Sequence, residues 1–275
     1  MTLPTYRADD DPGPSFVDLL ARVGQEPRWD SSDRSGSHAP APISITHGTT
    51  VVAVRYAEGV VMAGDRRATS GNLIAHRSME KVFPADRHSG VAIAGAAGPA
   101  MEMVKLFQLQ LEHYEKVEGS ELSLEGKANQ LGQMVRSHLP AAMQGLAVVP
   151  LFAGFDMRRS TGRLFEYDVT GGRYEESDFA ATGSGSLHAG TVVKMGYRED
   201  LPADDAIELL ISALFQAADE DSATGGPDLV RGIYPVVATI SARGFTRLPD
   251  DDVSARFRAL LEAMTANRGN GGSPR

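Results

Sequence analysis

Cysteine is missing altogether from the 275 residues. Its absence removes disulfides, thiol nucleophiles and cysteine-ligated zinc in one step, and it fits a reducing, cytoplasmic setting. Long apolar runs are missing as well: no stretch approaches the roughly 18 consecutive apolar residues of a membrane helix. The opening MTLPTYRADDDPGPS holds an acidic cluster and no apolar h-region, so no secretory signal is expected. Positive charge is short. Lys and Arg total 27 against 36 Asp and Glu, and the net charge of −9 disfavours nucleic acid or an anionic membrane as partner.

Familiar catalytic signatures are also absent. GSGSLHAG (Gly183–Gly190) has His188 where a GxGxxG phosphate loop needs glycine, and there is no P-loop, HExxH or EF-hand pattern. No GxSxG elbow offers a serine nucleophile. The histidines are scattered without metal-ligand spacing, and His113 in LEHYEK reads as part of a solvated helix face. Neither a metal nor another cofactor is expected.

What is present is ordinary globular composition, 42% hydrophobic and 23% charged, enough for one large core or two small ones. Residues 1–42 stand apart. DDDPGP and EPRWDSSDRSGSHAPAP bury too little surface to offset ordering entropy, so the plain reading is a disordered arm. Within it Phe16–Val23 (FVDLLARV) has helical apolar spacing that suits docking on a partner. At ISITHGTTVVAVRY the chain turns β-branched. A tail before a strand is common, so this shift alone implies no processing.

Beyond that point Thr49–Tyr56 and Gly59–Gly64 are apolar runs around a turn, a hairpin pattern. Glu80–Pro84 and Gly90–Gly95 follow as strands. Pro99–Val117 puts Val104, Phe107, Leu111 and Tyr114 on one helical stripe, and Leu124–Leu139 does the same with Leu131, Met134, Val135 and Leu139. Strands are expected at Val148–Asp156, Arg163–Asp168 and Phe179–Thr182, helices at Leu187–Met195 and Ala203–Ala218. A strand at Tyr234–Ser241 and a helix at Asp251–Thr265 precede a GNGGSPR tail expected to fray. Grouped strands and grouped helices predict an α+β fold with segregated layers, not a doubly wound parallel sheet.

The remaining chemistry lies in polar residues set among apolar strands. Asp65 ends VVMAGDRRA and Lys81 begins KVF, on strand segments close enough to pair. Taken singly, each reads as a charged strand end in water. Gly48 precedes Thr49 and leaves the backbone free to bend there. Cleavage of the Gly48–Thr49 bond would give Thr49 a free α-amine with a pKa of about 8, able to act as base on its own hydroxyl. A nearby lysine would lower both pKa values, and an aspartate would hold that lysine charged.

Together HG-TTVVAVRY, GVVMAGDRRAT, EKVF, AIAGAAG, TGSGS and DSATGGPDL resemble proteasome β subunits of the actinobacterial kind, from about Ile45 to Leu261. The resemblance implies an N-terminal-nucleophile hydrolase fold, a four-layer αββα sandwich. It implies a propeptide over residues 1–48, removed at Gly48–Thr49, and a threonine-type endopeptidase domain over residues 49–275. Thr49 matches the nucleophile, with Thr50 the usual small hydroxyl residue after it. Asp65 and Lys81 match its supporting pair, Gly95 the oxyanion glycine, Ser184 the serine near the threonine amine, and Asp221 the supporting aspartate. Thr224 stands where many members have serine, a departure whose added methyl puts local geometry in question.

By the same resemblance Thr69, Gly95 and Ala97 pair with an extended substrate as an added strand. Ala68, Met79, Ile93, Ala97 and in addition Met101 line an apolar S1 pocket, which implies cleavage after hydrophobic residues. The implied partners are other β subunits in stacked heptameric rings, capping α-subunit rings, an ATP-dependent unfoldase, and unfolded polypeptide as substrate. Three other readings share features. The smaller ATP-dependent threonine peptidase of the HslV type shares the TT start, but this chain is long for it. A noncatalytic ring subunit would lack Thr49 or the Asp65–Lys81 pair. An N-terminal-nucleophile hydrolase of small amides fits the apolar pocket poorly.

Overall fold

An antiparallel strand with one wet face alternates apolar and polar residues. TTVVAVRY and GVVMAG do not, and the structure supplies the reason. In the computed structural model, which describes residues 48–71 and 73–270, β1 (Thr50–Tyr56) and β2 (Gly59–Gly64) lie in a sheet covered on both faces. This first sheet has the order β10 (Phe179–Gly183), β1, β2, β11 (Val236–Ser241), β12 (Gly244–Arg247). A second sheet runs β5 (Val82–Asp86), β6 (Ser89–Gly95), β7 (Val148–Asp156), β8 (Thr161–Tyr167), β9 (Arg173–Glu176). Every pairing in both is antiparallel.

Alternate side chains of each strand enter different cores. Val51, Ala53, Val60 and Met62 of the first sheet meet Ala92, Leu151, Ala153 and Leu164 of the second, forming the interior of a sandwich. On the outer face of the first sheet, Val52, Val54, Val61 and Ala63 pack beneath α4 (Ser186–Gly196), α5 (Ala203–Glu220) and α6 (Asp250–Asn270). On the outer face of the second, Val91, Ile93, Phe152 and Phe165 pack beneath α1 (Ala97–Glu118) and α2 (Leu124–Ser137). Phe152 meets Phe107 edge-on at 5.8 Å and stacks on Phe165 at 6.0 Å. Each such ring contributes about 1.5–3 kcal/mol by leaving water. The layers are helix, sheet, sheet, helix: the α+β sandwich expected above.

The apolar stripes hold with two adjustments. Val104, Phe107 and Leu111 are buried, but Tyr114 is 38% exposed. The helix expected over Leu124–Leu139 stops at Ser137, and a short α3 (Leu139–Ala142) restarts with Pro140, whose missing N–H costs nothing in a first turn. Ser123 caps α2 by accepting the Gly126 N–H at 3.1 Å. Short strands were not legible. β3 (Ala68–Ser70) and β4 (Leu73–His76) form a separate two-stranded ribbon, and all four residues of β4 are exposed, so no burial period marks it. β9 and β12 were missed for the same want of alternation.

The expected arm of residues 1–42, with Phe16–Val23, lies outside the described residues, as does the end of the tail beyond residue 270. No helix among the described residues is long and apolar enough to cross a membrane.

Candidate active site

Thr49 sits at the entrance to β1, between its sheet neighbours, and is 5% exposed. The chain is held there by β10: the Ser184 N–H donates to the Thr49 carbonyl at 2.8 Å. Gly183 makes this approach possible. It has φ +104°, and a Cβ there would lie 1.8 Å from the Thr49 oxygen, so a side chain is excluded twice.

Asp65 and Lys81 meet as expected, but not from neighbouring strands. Asp65 follows β2 of the first sheet and Lys81 precedes β5 of the second, so the pair bridges the sandwich. Lys81 Nζ donates to Asp65 Oδ1 at 2.6 Å and to the Arg67 carbonyl at 2.6 Å. Neither side chain is a charged strand end in water: exposures are 1% and 0%. The carboxylate is saturated with donors. Oδ1 also accepts the Thr50 N–H at 2.8 Å, and Oδ2 accepts the N–H groups of Arg67 and Gly225, both at 2.8 Å. Burial pushes the Lys81 ammonium below the ordinary lysine pKa, and the charge and hydrogen bond of Asp65 oppose that shift.

A second network joins Thr49 to Asp221, the residue that ends α5. Ser184 and Thr224 donate their hydroxyls to Asp221 Oδ2 at 2.5 and 2.6 Å, and Oδ1 accepts the Ala223 N–H at 3.1 Å. Because the Thr224 proton is committed to Asp221, the 2.5 Å contact between Thr50 and Thr224 makes Thr50 the donor. Thr50 Oγ1 in turn accepts the Gly185 N–H at 3.0 Å. Ser184 Oγ is left as acceptor for the Thr49 N–H at 3.3 Å. Burial raises the Asp221 pKa, but the Ser184 and Thr224 hydroxyls and the Ala223 amide outweigh it, leaving the group below the usual carboxylate value. Thr224 is fully buried and still reaches Asp221, so its extra methyl does not break this contact.

Thr49, Lys81 and Gly95 line one cavity of about 170 Å³ together with Ala68, Thr69, Met79, Ile93 and Ala97. Every residue expected at the pocket is there except Met101, which instead packs against the core beneath α1 and α2. Gly48, Ser70, Ala75, His76, Ala94 and Ala100 complete the wall and were not anticipated. Among the described residues, no Asp or Glu lines it. Gly95, at the end of β6, has φ +108°, and a Cβ there would lie 2.1 Å from the Ala147 carbonyl oxygen.

Several participants were missed by reading side chains alone. Arg67 gives its N–H to Asp65, its carbonyl to Lys81, and its guanidinium to the Ser222 carbonyl at 2.9 Å, tying both networks together. Gly185 and Gly225 act through backbone N–H groups. The only sequence signal was the clustering of glycine in TGSGS and ATGG.

Comparison with known proteins places the chain in a family. A family model described as "Proteasome subunit" matches residues 45–230. "Proteasome subunit beta" of Acidimicrobium ferrooxidans is 57% identical over 251 residues, covering 91% of this chain and 90% of that one. The protein of the same name from Streptomyces griseus is 58% identical over 248 residues, 90% and 88% of the two chains. That of Acidothermus cellulolyticus is 58% identical over 232 residues, 83% and 80% of the two. A helix–sheet–sheet–helix sandwich, a buried Asp–Lys pair beside a threonine, and these matches across most of the sequence lead to one assignment: the chain belongs to the proteasome subunit family, among its β subunits.

Proposed function

We propose that this chain is a zymogen of a threonine-type endopeptidase, activated when it cuts its own Gly48–Thr49 bond and sheds residues 1–48 as a propeptide. One observation carries the reading: Thr49, Lys81 and Gly95 line the same cavity, with Lys81 paired to Asp65 at 2.6 Å. After cleavage the Thr49 α-amine, with a pKa of about 8, takes the proton from Oγ1 as that oxygen attacks the substrate carbonyl carbon. Lys81, held by Asp65, lowers the hydroxyl pKa. Ser184, Asp221 and Thr224 orient the amine. The Gly95 N–H meets the oxyanion, a contribution of about 3 kcal/mol for a placed donor. The carbon–nitrogen bond breaks, the leaving amine takes the proton back from the Thr49 ammonium, and water hydrolyses the resulting ester.

Substrate strands pair with Thr69, Gly95 and Ala97, and the apolar wall of Ala68, Met79, Ile93 and Ala97 favours cleavage after hydrophobic residues. The enzyme works in the cytoplasm on unfolded polypeptide, in stacked heptameric β rings capped by α subunits and fed by an ATP-dependent unfoldase. The test is the intact mass of the subunit co-expressed with its α partner, beside Thr49→Ala. Loss of residues 1–48 in the wild type alone is expected. An assembled particle whose wild-type subunit keeps them would refute the reading.

A further inference from the structure

Gly48 and Thr49, on the two sides of the bond proposed to be cut, are both buried. Thr49 is held on both its polar backbone groups by Ser184: its N–H donates to Oγ at 3.3 Å and its carbonyl accepts the Ser184 N–H at 2.8 Å. The other side of the bond is Gly48, the residue with the most rotational freedom. Two features restrain it. Its N–H donates to Thr69 Oγ1 at 3.2 Å in a buried contact. Its Cα faces Ala223 so closely that an added Cβ would lie 1.9 Å from the Ala223 Cβ and 2.7 Å from its Cα.

The way Thr69 reaches Gly48 is built into the ribbon. The register of β3 against β4 shifts between Ala68 and Thr69, where the pairing moves from His76 to Ile74. The extra residue, Ala75, lies on β4, and such an irregularity increases the local twist of the ribbon beside Thr69. Here the Thr69 side chain is turned inward and the residue is 9% exposed, although its ribbon partner β4 is exposed throughout.

We propose that the Thr69 hydroxyl is a positioning residue for self-cleavage: it grips the Gly48 N–H and, with Ala223, sets the carbonyl that Thr49 Oγ1 must attack. This rests on the reading of Thr49 as a self-processing nucleophile. It is separate from the pairing of the Thr69 backbone with substrate, because the hydroxyl loses its partner once Gly48 leaves. The reaction it serves balances with water alone: Oγ1 attacks the Gly48 carbonyl carbon, the carbon–nitrogen bond breaks with the proton passing to nitrogen, and water hydrolyses the ester. Holding reacting atoms in line matters strongly here, since a misplacement of about 1 Å can cost on the order of 100-fold.

The test follows self-cleavage of the full-length chain by time-resolved intact mass after assembly with its α partner, for wild type, Thr69→Val and Thr69→Ser. Thr69→Val keeps shape and backbone but not the hydroxyl, and is expected to slow cleavage about tenfold. Thr69→Ser is expected to stay within about twofold of wild type. Once matured, Thr69→Val particles are compared per cleaved subunit, and their loss in kcat/KM is expected to be smaller than the loss in cleavage rate. Wild-type speed in Thr69→Val overturns the inference alone, as do equal losses in cleavage and in mature turnover. Thr69→Ser as slow as Thr69→Val overturns it too, assigning the effect to the methyl. A wild-type chain that never cuts itself overturns the reading of Thr49 and this inference with it.

Discussion

Lys81 Nζ lies 2.6 Å from Asp65 Oδ1, and the two residues belong to opposite sheets of the sandwich. The ion pair therefore clamps the two halves of the fold at the point where Thr49 enters β1. Breaking it from one side leaves a buried charge, while removing both partners does not. Asp65→Asn is expected to destabilise the protein by about 3–5 kcal/mol, and Asp65→Asn with Lys81→Met by less. Lys81→Met alone is expected to reduce peptidase activity at least about 100-fold. Chemical denaturation and peptide turnover check both parts. A double variant weaker than Asp65→Asn would show that the pair is not electrostatically coupled.

Thr50 holds the second network in place. Its hydroxyl takes the Gly185 N–H and gives its proton to Thr224, which gives its own to Asp221. Thr50→Val strands a buried N–H and leaves Thr224 short of a donor, at a cost of about 1–3 kcal/mol. Turnover is expected to fall mainly in kcat, with KM nearly constant, because the network touches Thr49 rather than the pocket. Thr50→Ser is expected to recover most of both. Steady-state kinetics with equal kcat and KM effects in Thr50→Val would contradict this.

The cavity wall holds no carboxylate among the described residues. Fluorogenic peptides with Leu or Tyr at P1 are expected to turn over faster than those with Arg or Glu. Met79→Glu places an acid in the wall and is expected to shift the Leu-to-Arg preference toward Arg. Faster cleavage after Arg by the wild-type chain would refute the apolar specificity.

Acid stability has a local source far from the site. The Thr170 hydroxyl hydrogen-bonds Asp168 and lowers its pKa most, burial opposes this, and the Gly172 amide and Tyr174 hydroxyl add to the lowering, so that the pKa falls from 3.8 to about 2. A carboxylate depressed in the folded state stabilises fully above its unfolded value and loses that contribution as pH falls through its folded value. The loss is therefore expected between pH 3.8 and about 2. Asp168→Asn is expected to flatten this limb in thermal denaturation. An unchanged slope would remove the β8–β9 turn from the account.

Much of this was legible in one dimension. Apolar runs around a turn marked the β1–β2 hairpin, and helical stripes marked Phe107, Leu111, Leu131 and Val135 as core. Asp65 and Lys81 were legible as residues able to pair, and the family resemblance gave them their roles beside Thr49. Met101 was assigned to the pocket by the family resemblance, and its side chain instead packs against the core beneath α1 and α2. The ribbon of β3 and β4 escaped because an exposed strand leaves no burial pattern.

Side-chain chemistry and burial period are properties of the chain, so the sequence by itself determined the grouped strands and helices of an α+β fold and the apolar stripes of its core. The pocket wall and the roles of Asp65 and Lys81 followed from the family resemblance. Convergence is not such a property. Thr50 and Thr224 are 174 positions apart and 2.5 Å apart in space, and no local rule selects that meeting. Nor does sequence distinguish one backbone N–H from another. The Arg67 N–H meets Asp65 locally, two residues along the chain. Only the tertiary structure chose those of Gly185 and Gly225 as donors, because only packing of the sheets and their loops brings these otherwise equivalent groups to Thr50 and Asp65.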